Sequence, residues 1–222
     1  MPFIGVQPAS ALLTSADIQD GQITTAKIAD DAVGNTKLDL TANYAFTGTI
    51  TGTGMALLLD ATISSAVSEY DISSTYINST YDNYYLDVAL HPATDDVVCY
   101  MRPIVGGSVV TSGIDYETYG IDDDKIVGDN TIYIRLHRNG IGNADGEGIT
   151  ISGHLQNINS TTVPFCFSGL TNSYKTNGQH NGNIATGGLV VGSRASVVNG
   201  IRLYFSSGNI ESGTVKLYGI ET

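Results

Sequence analysis

The chain has 222 residues, a formal net charge of -12 and only 14% charged side chains. That length suits one domain of ordinary size plus an appendage. A chain this acidic is repelled by phosphate backbones and anionic bilayers, so neither a nucleic-acid partner nor membrane insertion is expected. A hydrophobic fraction of 41% excludes wholesale disorder. The longest apolar run, Met55–Leu59, falls far short of a membrane span. Residues 1–13 have no basic start, and Gln7, Pro8 and Ser10 interrupt their apolar residues. No secretory leader is therefore predicted, and synthesis in a cytoplasm is expected.

Residues 1–15 place Phe3, Ile4 and Val6 among Pro2, Gly5 and Pro8. Such a segment makes a poor helix and a poor core, but suits an extended peptide that docks on a larger partner. Residues 16–40 are repetitive. Counting from Leu13, apolar residues recur at a spacing of five: Leu13, Ile18, Ile23, Ile28, Val33 and Leu38. The pattern doubles into a decapeptide in which Asp20 matches Asp30, Ile23 matches Val33 and Lys27 matches Lys37. Five is neither the period of a strand nor that of a continuous helix. Short helical turns such as Thr24–Ile28, alternating with acidic turns at Asp20-Gly21 and Asp30-Asp31, fit it. One narrow apolar stripe has nothing of its own to bury against, and two repeats are too few for a solenoid. Copies of the chain meeting along a symmetry axis are the expected solution, with a pentapeptide β-helix as the competing one. Residues 41–55, rich in Gly and Thr, read as a linker with one short strand over Tyr44–Ile50.

Residues 56–222 change texture. Alternating runs recur at Tyr84/Leu86/Val88/Leu90, Val98/Tyr100/Arg102/Ile104, Ile132/Ile134/Leu136, Ile149/Ile151/Gly153/Leu155, Val163/Phe165/Phe167, Ile201/Leu203/Phe205 and Val215/Leu217/Gly219. Turn clusters separate them, among them Pro92–Asp96, Asp122–Asp124, Asn139-Gly140 and Ser206–Asn209. No stretch after residue 68 has a helical face. The fold class predicted is mainly β: an anchor and a short repeat shaft, followed by an antiparallel β-sandwich knob of the jelly-roll kind.

Three segments carry a family resemblance. Residues 20–38 (DGQITTAKIADDAVGNTKL) resemble the repeats of bacteriophage fibre proteins, both head fibres and tail fibres. Residues 43–52 (NYAFTGTITG) are similar to the segment that follows such shafts in many tail fibres. Residues 200–220 resemble the closing strands of phage fibre knobs, especially those of cyanophages. Together they cover a little under a quarter of the chain. The resemblance implies a homotrimeric virion protein whose N-terminus, with Phe3, Ile4 and Val6, anchors it to another virion structural protein. It implies a short tail fibre or fibre tip that binds host surface glycan, or alternatively a head fibre or capsid decoration without a receptor role.

Chemistry is sparse. No nucleophile elbow, P-loop or zinc-protease motif occurs. Gly140–Gly146 imitates a dinucleotide fingerprint but lies between strands and reads as a turn. Its Asn143–Glu147 stretch has the look of a calcium loop, yet Ile141 and Ser152 stand where end ligands belong. Cys99 and Cys166 read as thiols, with a disulfide left open by their spacing. His137 and His154 fall on the polar phase of their strands and read as surface residues. No catalytic residue, metal or cofactor is expected. The most informative segment is 171–183, a stretch without apolar period that reads as a long loop. Its Tyr174, Asn177, Gln179, His180 and Asn181 offer a stacking face with donors and acceptors suited to a neutral glycan.

Overall fold

The computed structural model describes residues 54–120, 125–175, 178–190 and 196–220. The anchor residues Phe3, Ile4 and Val6, the stripe Leu13 to Leu38, the strand at Tyr44–Ile50, the run Asp122–Asp124 and Asn177 lie outside the described residues. The described residues belong to a unit spanning Thr49–Thr222.

The protein is mainly β, with antiparallel sheets. Thirteen strands occur among the described residues: β1 Met55–Ile63, β2 Glu69–Ile72, β3 Asn83–Pro92, β4 Cys99–Val105, β5 Ser108–Val109, β6 Ile114–Gly120, β7 Lys125–Thr131, β8 Ile134–Arg135, β9 Gly148–Gln156, β10 Cys166–Tyr174, β11 His180–Leu189, β12 Val198–Phe205 and β13 Ile210–Ile220. The larger sheet runs β1-β13-β3-β9-β10-β11-β6-β7. The smaller runs β2-β12-β4, and both β5 and β8 pair with β4. Early strands pair with late ones in nested fashion: β1 with β13, β2 with β12, β3 with β9 and β4 with β8. Two hairpins, β10–β11 and β6–β7, extend the larger sheet beyond β9.

Period-two patterning accounts for most of the core. Tyr84, Leu86, Val88 and Leu90 of β3 point inward, as do Ile149, Ile151 and Leu155 of β9 and Val215 and Leu217 of β13. Ile201, Leu203 and Phe205 of β12 answer them from the smaller sheet, and all join one cluster. Each such side chain contributes about 1.5–3 kcal/mol when fully buried. Gly153 stands opposite Gly169 in the β9–β10 register. A Cβ on Gly153 would come within 2.6 Å of the Phe167 ring, so the ring occupies the space that two missing side chains leave.

Two expectations are corrected. In β4 the buried residues are Cys99, Met101, Pro103 and Ile104, so of the predicted run only Ile104 is inside, while Tyr100 and Arg102 point away from the core. Tyr100 there stacks on Tyr133 at 4.0 Å, and the Arg102 guanidinium lies 4.8 Å over the Tyr204 ring. Ile132 and Val163 are exposed, because both stand outside the strands that their alternation was meant to start. The strands β6 and β7 carry Asp, Glu, Tyr and Thr between their apolar residues, so their period was not legible. Both cysteines are free thiols. Burial in the core pushes the Cys99 thiol up to about 12, and partial burial also raises that of Cys166.

Candidate functional site

Residues 171–183 are not a long loop. β10 runs on to Tyr174 and β11 begins at His180, with Thr171 opposite Asn183 and Ser173 opposite Asn181. Only a tight turn remains, closed by Lys175 N–H donating to Gln179 O at 2.9 Å and Gly178 N–H donating to Lys175 O at 2.7 Å. Gly178 takes a φ of +73°, which a residue without Cβ adopts at little cost. The turn brings Tyr174 and His180 into a cross-strand pair whose rings meet edge to face at 5.5 Å.

That pair walls a groove of about 370 Å³, within the range of small-ligand sites. Asn172 lies beside it on the same face of β10, and His91 and Glu147 stand among the remaining lining residues. Much of the lining is small: Ala89, Gly146, Gly148, Thr150 and Gly213. Gly148 has a φ of +131°, and a Cβ there would lie 2.7 Å from Leu90 O, so no side chain fits at that point of the lining. His91 is held by Glu211 Oε2 at 3.0 Å from its Nδ1 and by Ala144 O at 3.3 Å from its Nε2. Glu147 is turned back on its own loop, where Oε2 accepts from Ala144 N–H at 2.8 Å. Gly142 N–H donates to Tyr174 O at 3.0 Å and ties this loop to the hairpin. Among the described residues no group of three or more His, Cys, Asp or Glu is placed to hold a metal ion.

The predicted ligand residues are thus divided. Tyr174 and His180 share the groove. Gln179 is exposed in the turn. Asn181 pairs with Ser173, whose side chain is buried on the opposite face. Asn172 lies in the segment singled out from the sequence but was not itself chosen, Glu147 was weighed only as part of a calcium-like loop, and His91 was not chosen, since only strand pairing brings β3, β9 and β10 side by side.

The hairpin is seated by a polar layer. Thr118 Oγ1 donates to Arg135 O at 2.6 Å, and Thr171 Oγ1 donates to Leu136 O at 2.8 Å. His137 is no surface residue: it is fully buried, with Ser173 Oγ 2.8 Å from its Nε2 and Asn139 O 3.0 Å from its Nδ1. β8 ends at Arg135, so the alternation that places residue 137 outside no longer applies. Burial lowers the His137 pKa, the Asn139 and Asn181 carbonyls act in the opposite direction, and Arg135 and Lys175 lower it further. The imidazole is therefore neutral at pH 7.

Compared with protein-family models, curated proteins and solved structures, the chain matches none.

Proposed function

We propose that this chain is a virion structural protein of a phage: a short trimeric fibre or fibre tip, anchored through residues 1–15, whose β unit binds a neutral host surface glycan. The observation that carries the glycan reading is the Tyr174–His180 pair beside Asn172 in a groove kept open by small residues such as Gly148 and Gly213. A sugar ring presents a C–H face to an aromatic side chain and hydroxyls to amide, imidazole and carbonyl groups. Glu147 and Glu211 lie at the groove and beside His91, which disfavours acidic sugars. The fibre reading rests on the resemblance of residues 20–38, 43–52 and 200–220.

The finer fold proposed is a jelly roll. It is supported by the nested pairs β1–β13, β2–β12, β3–β9 and β4–β8, the pattern obtained when one long antiparallel hairpin is wound into two sheets. Jelly rolls serve both lectins and capsid shells. That second use is what favours the alternative, a head fibre or capsid decoration without a receptor role.

The test is binding of the full-length protein to polysaccharide from the host surface, measured by calorimetry. Tyr174→Ala should weaken binding roughly tenfold, an aromatic contact being worth about 1.5 kcal/mol at most beyond its area, while the circular dichroism stays unchanged. Equal binding by wild type and Tyr174→Ala, or none by either, would overturn the glycan reading. Immunogold labelling confined to capsids would overturn the tail location.

A further inference from the structure

The outer face of the larger sheet changes character along its width. One row of side chains, followed through the strand registers, reads Asp60, Lys216, Asp87, Ser152, Leu170, Ile184 and Tyr119. The neighbouring row ends in Ser168, Thr186, Glu117 and Val127. Leu170 is 58% exposed, Ile184 52%, Val127 47% and Tyr119 37%. Leu170, Ile184 and Tyr119 lie side by side across β10, β11 and β6, with Val127 one row away on β7, and together they make an exposed apolar patch rather than scattered surface residues. Asp87, Asp115, Glu117 and Asp129 stand around it, against one cation, Lys125, which continues the first row on β7, so the rim is net acidic.

We propose that this patch is an interface between copies of the chain, packing the β units of one assembly against each other. The occupant follows from the chain that precedes β1. Those residues carry six apolar side chains at a spacing of five, from Leu13 to Leu38, which demand copies of themselves. The stripe ends at Leu38, and β1 begins at Met55 on one edge of the same sheet. The intervening stretch spans at most about 60 Å when fully extended. Five strand spacings, about 24 Å, separate β1 from β11. Copies joined along the stripe therefore hold their patches within reach of one another, at a high effective concentration. This rests on the oligomeric part of the proposed function and not on the glycan part.

The acidic rim gives the contact a signature. Like charges brought together repel, so salt strengthens this association, whereas salt weakens docking of a basic partner. The groove is also affected. Asn172 lies two residues from Leu170 on the same face of β10, about 7 Å away, so the groove sits at the boundary between copies.

The chain has no Trp, so Ile184→Trp supplies a single fluorescent reporter on the patch. In the full-length protein its emission should be blue-shifted and shielded from acrylamide. Adding Leu170→Glu should move it to the solvent value while circular dichroism remains unchanged. In a chain whose stripe is broken by Ile23→Asp and Ile28→Asp, shielding should be lost on dilution and recovered with protein concentration and added NaCl. An oligomeric reporter chain that acrylamide quenches freely overturns the proposal. So does shielding in a monomer at every dilution, which assigns the patch to the chain's own N-terminal residues. If the intact chain sediments as a monomer, the stripe reading fails, and the patch proposal then stands or falls on whether concentration and salt still shield the reporter.

Discussion

The two halves of the large sheet are built on opposite principles. In β1, β13, β3 and β9 the inner face is aliphatic, with Leu86, Val88, Ile151, Val215 and Leu217 buried. Their outer face carries Asp60, Lys216 and Asp87, with Lys216 Nζ 3.4 Å from Asp60. In the extension of β10, β11 and β6, Phe167, Leu189, Ile114 and Tyr116 are buried in the same core, but toward the β10–β11 turn the polarity is reversed. Thr171, Ser173, Asn183 and Thr118 are buried, while Leu170, Ile184 and Tyr119 face outward. The first half is held by burial of apolar area against the smaller sheet, and the extension is seated largely by directed hydrogen bonds to residues 135–139. Hydrogen bonds contribute little net stability but fix geometry, and a buried polar group left unmet is costly. The extension is accordingly the half that positions the Tyr174–His180 pair.

This contrast can be broken by substitution. The largest effect is expected from Leu86→Ala, which should cost about 2–5 kcal/mol in urea unfolding because the surrounding sheets close a cavity only in part. Leu170→Ala, in dissociated chain at low concentration, should stay within about 0.5 kcal/mol. Comparable losses from the two would refute the reversed polarity.

Ser173→Ala should come next, at about 1–3 kcal/mol, since it deprives the buried His137 ring of its hydroxyl partner. Asn183 is 4% exposed and both its amide atoms are without hydrogen-bond partners among the described residues. Asn183→Leu should therefore raise stability, by about 1 kcal/mol, an outcome unusual for a core substitution. A loss on calorimetric unfolding would mean that the amide has an unseen role.

The smallest effect is on pH dependence. The folded-state pKa of His137 lies below its unfolded value of about 6.5, so the unfolded chain takes up the proton first. Its contribution is complete above that value, falls as pH drops below it, and levels off once the pH passes the folded pKa. Thermal unfolding between pH 7.5 and 5 should show this slope in wild type and lose part of it in His137→Asn. Equal slopes would show that other groups carry the acid sensitivity.

Much of the first half was legible, as was β12 of the smaller sheet. Tyr84 to Leu90, Ile149 to Leu155 and Ile201 to Phe205 alternate cleanly because one face meets a core and the other meets water. The extension was legible only at Phe167, because beyond it the inner residues Thr171, Ser173, Asn183 and Thr118 carry no hydrophobic period. For the same reason Thr171–Asn183 reads as loop when it is mostly hairpin. In β4 an alternation is present, but Val98 and Tyr100 suggest one phase while Cys99, Met101 and Pro103 occupy the core, with Ile104 joining them where the alternation breaks.

The sequence by itself determined the mainly β class, the turn clusters and the identity of Tyr174 and His180 as exposed aromatic and imidazole groups in a polar stretch, since local composition and period carry that information. Only the tertiary structure decided which strands lie side by side, and with them the groove that unites β3, β9, β10 and β11. It also decided the burial of His137 and the apolar outer face of the extension. Those depend on pairing between residues as far apart as His91 and Glu211, and no local pattern encodes a register formed across that distance.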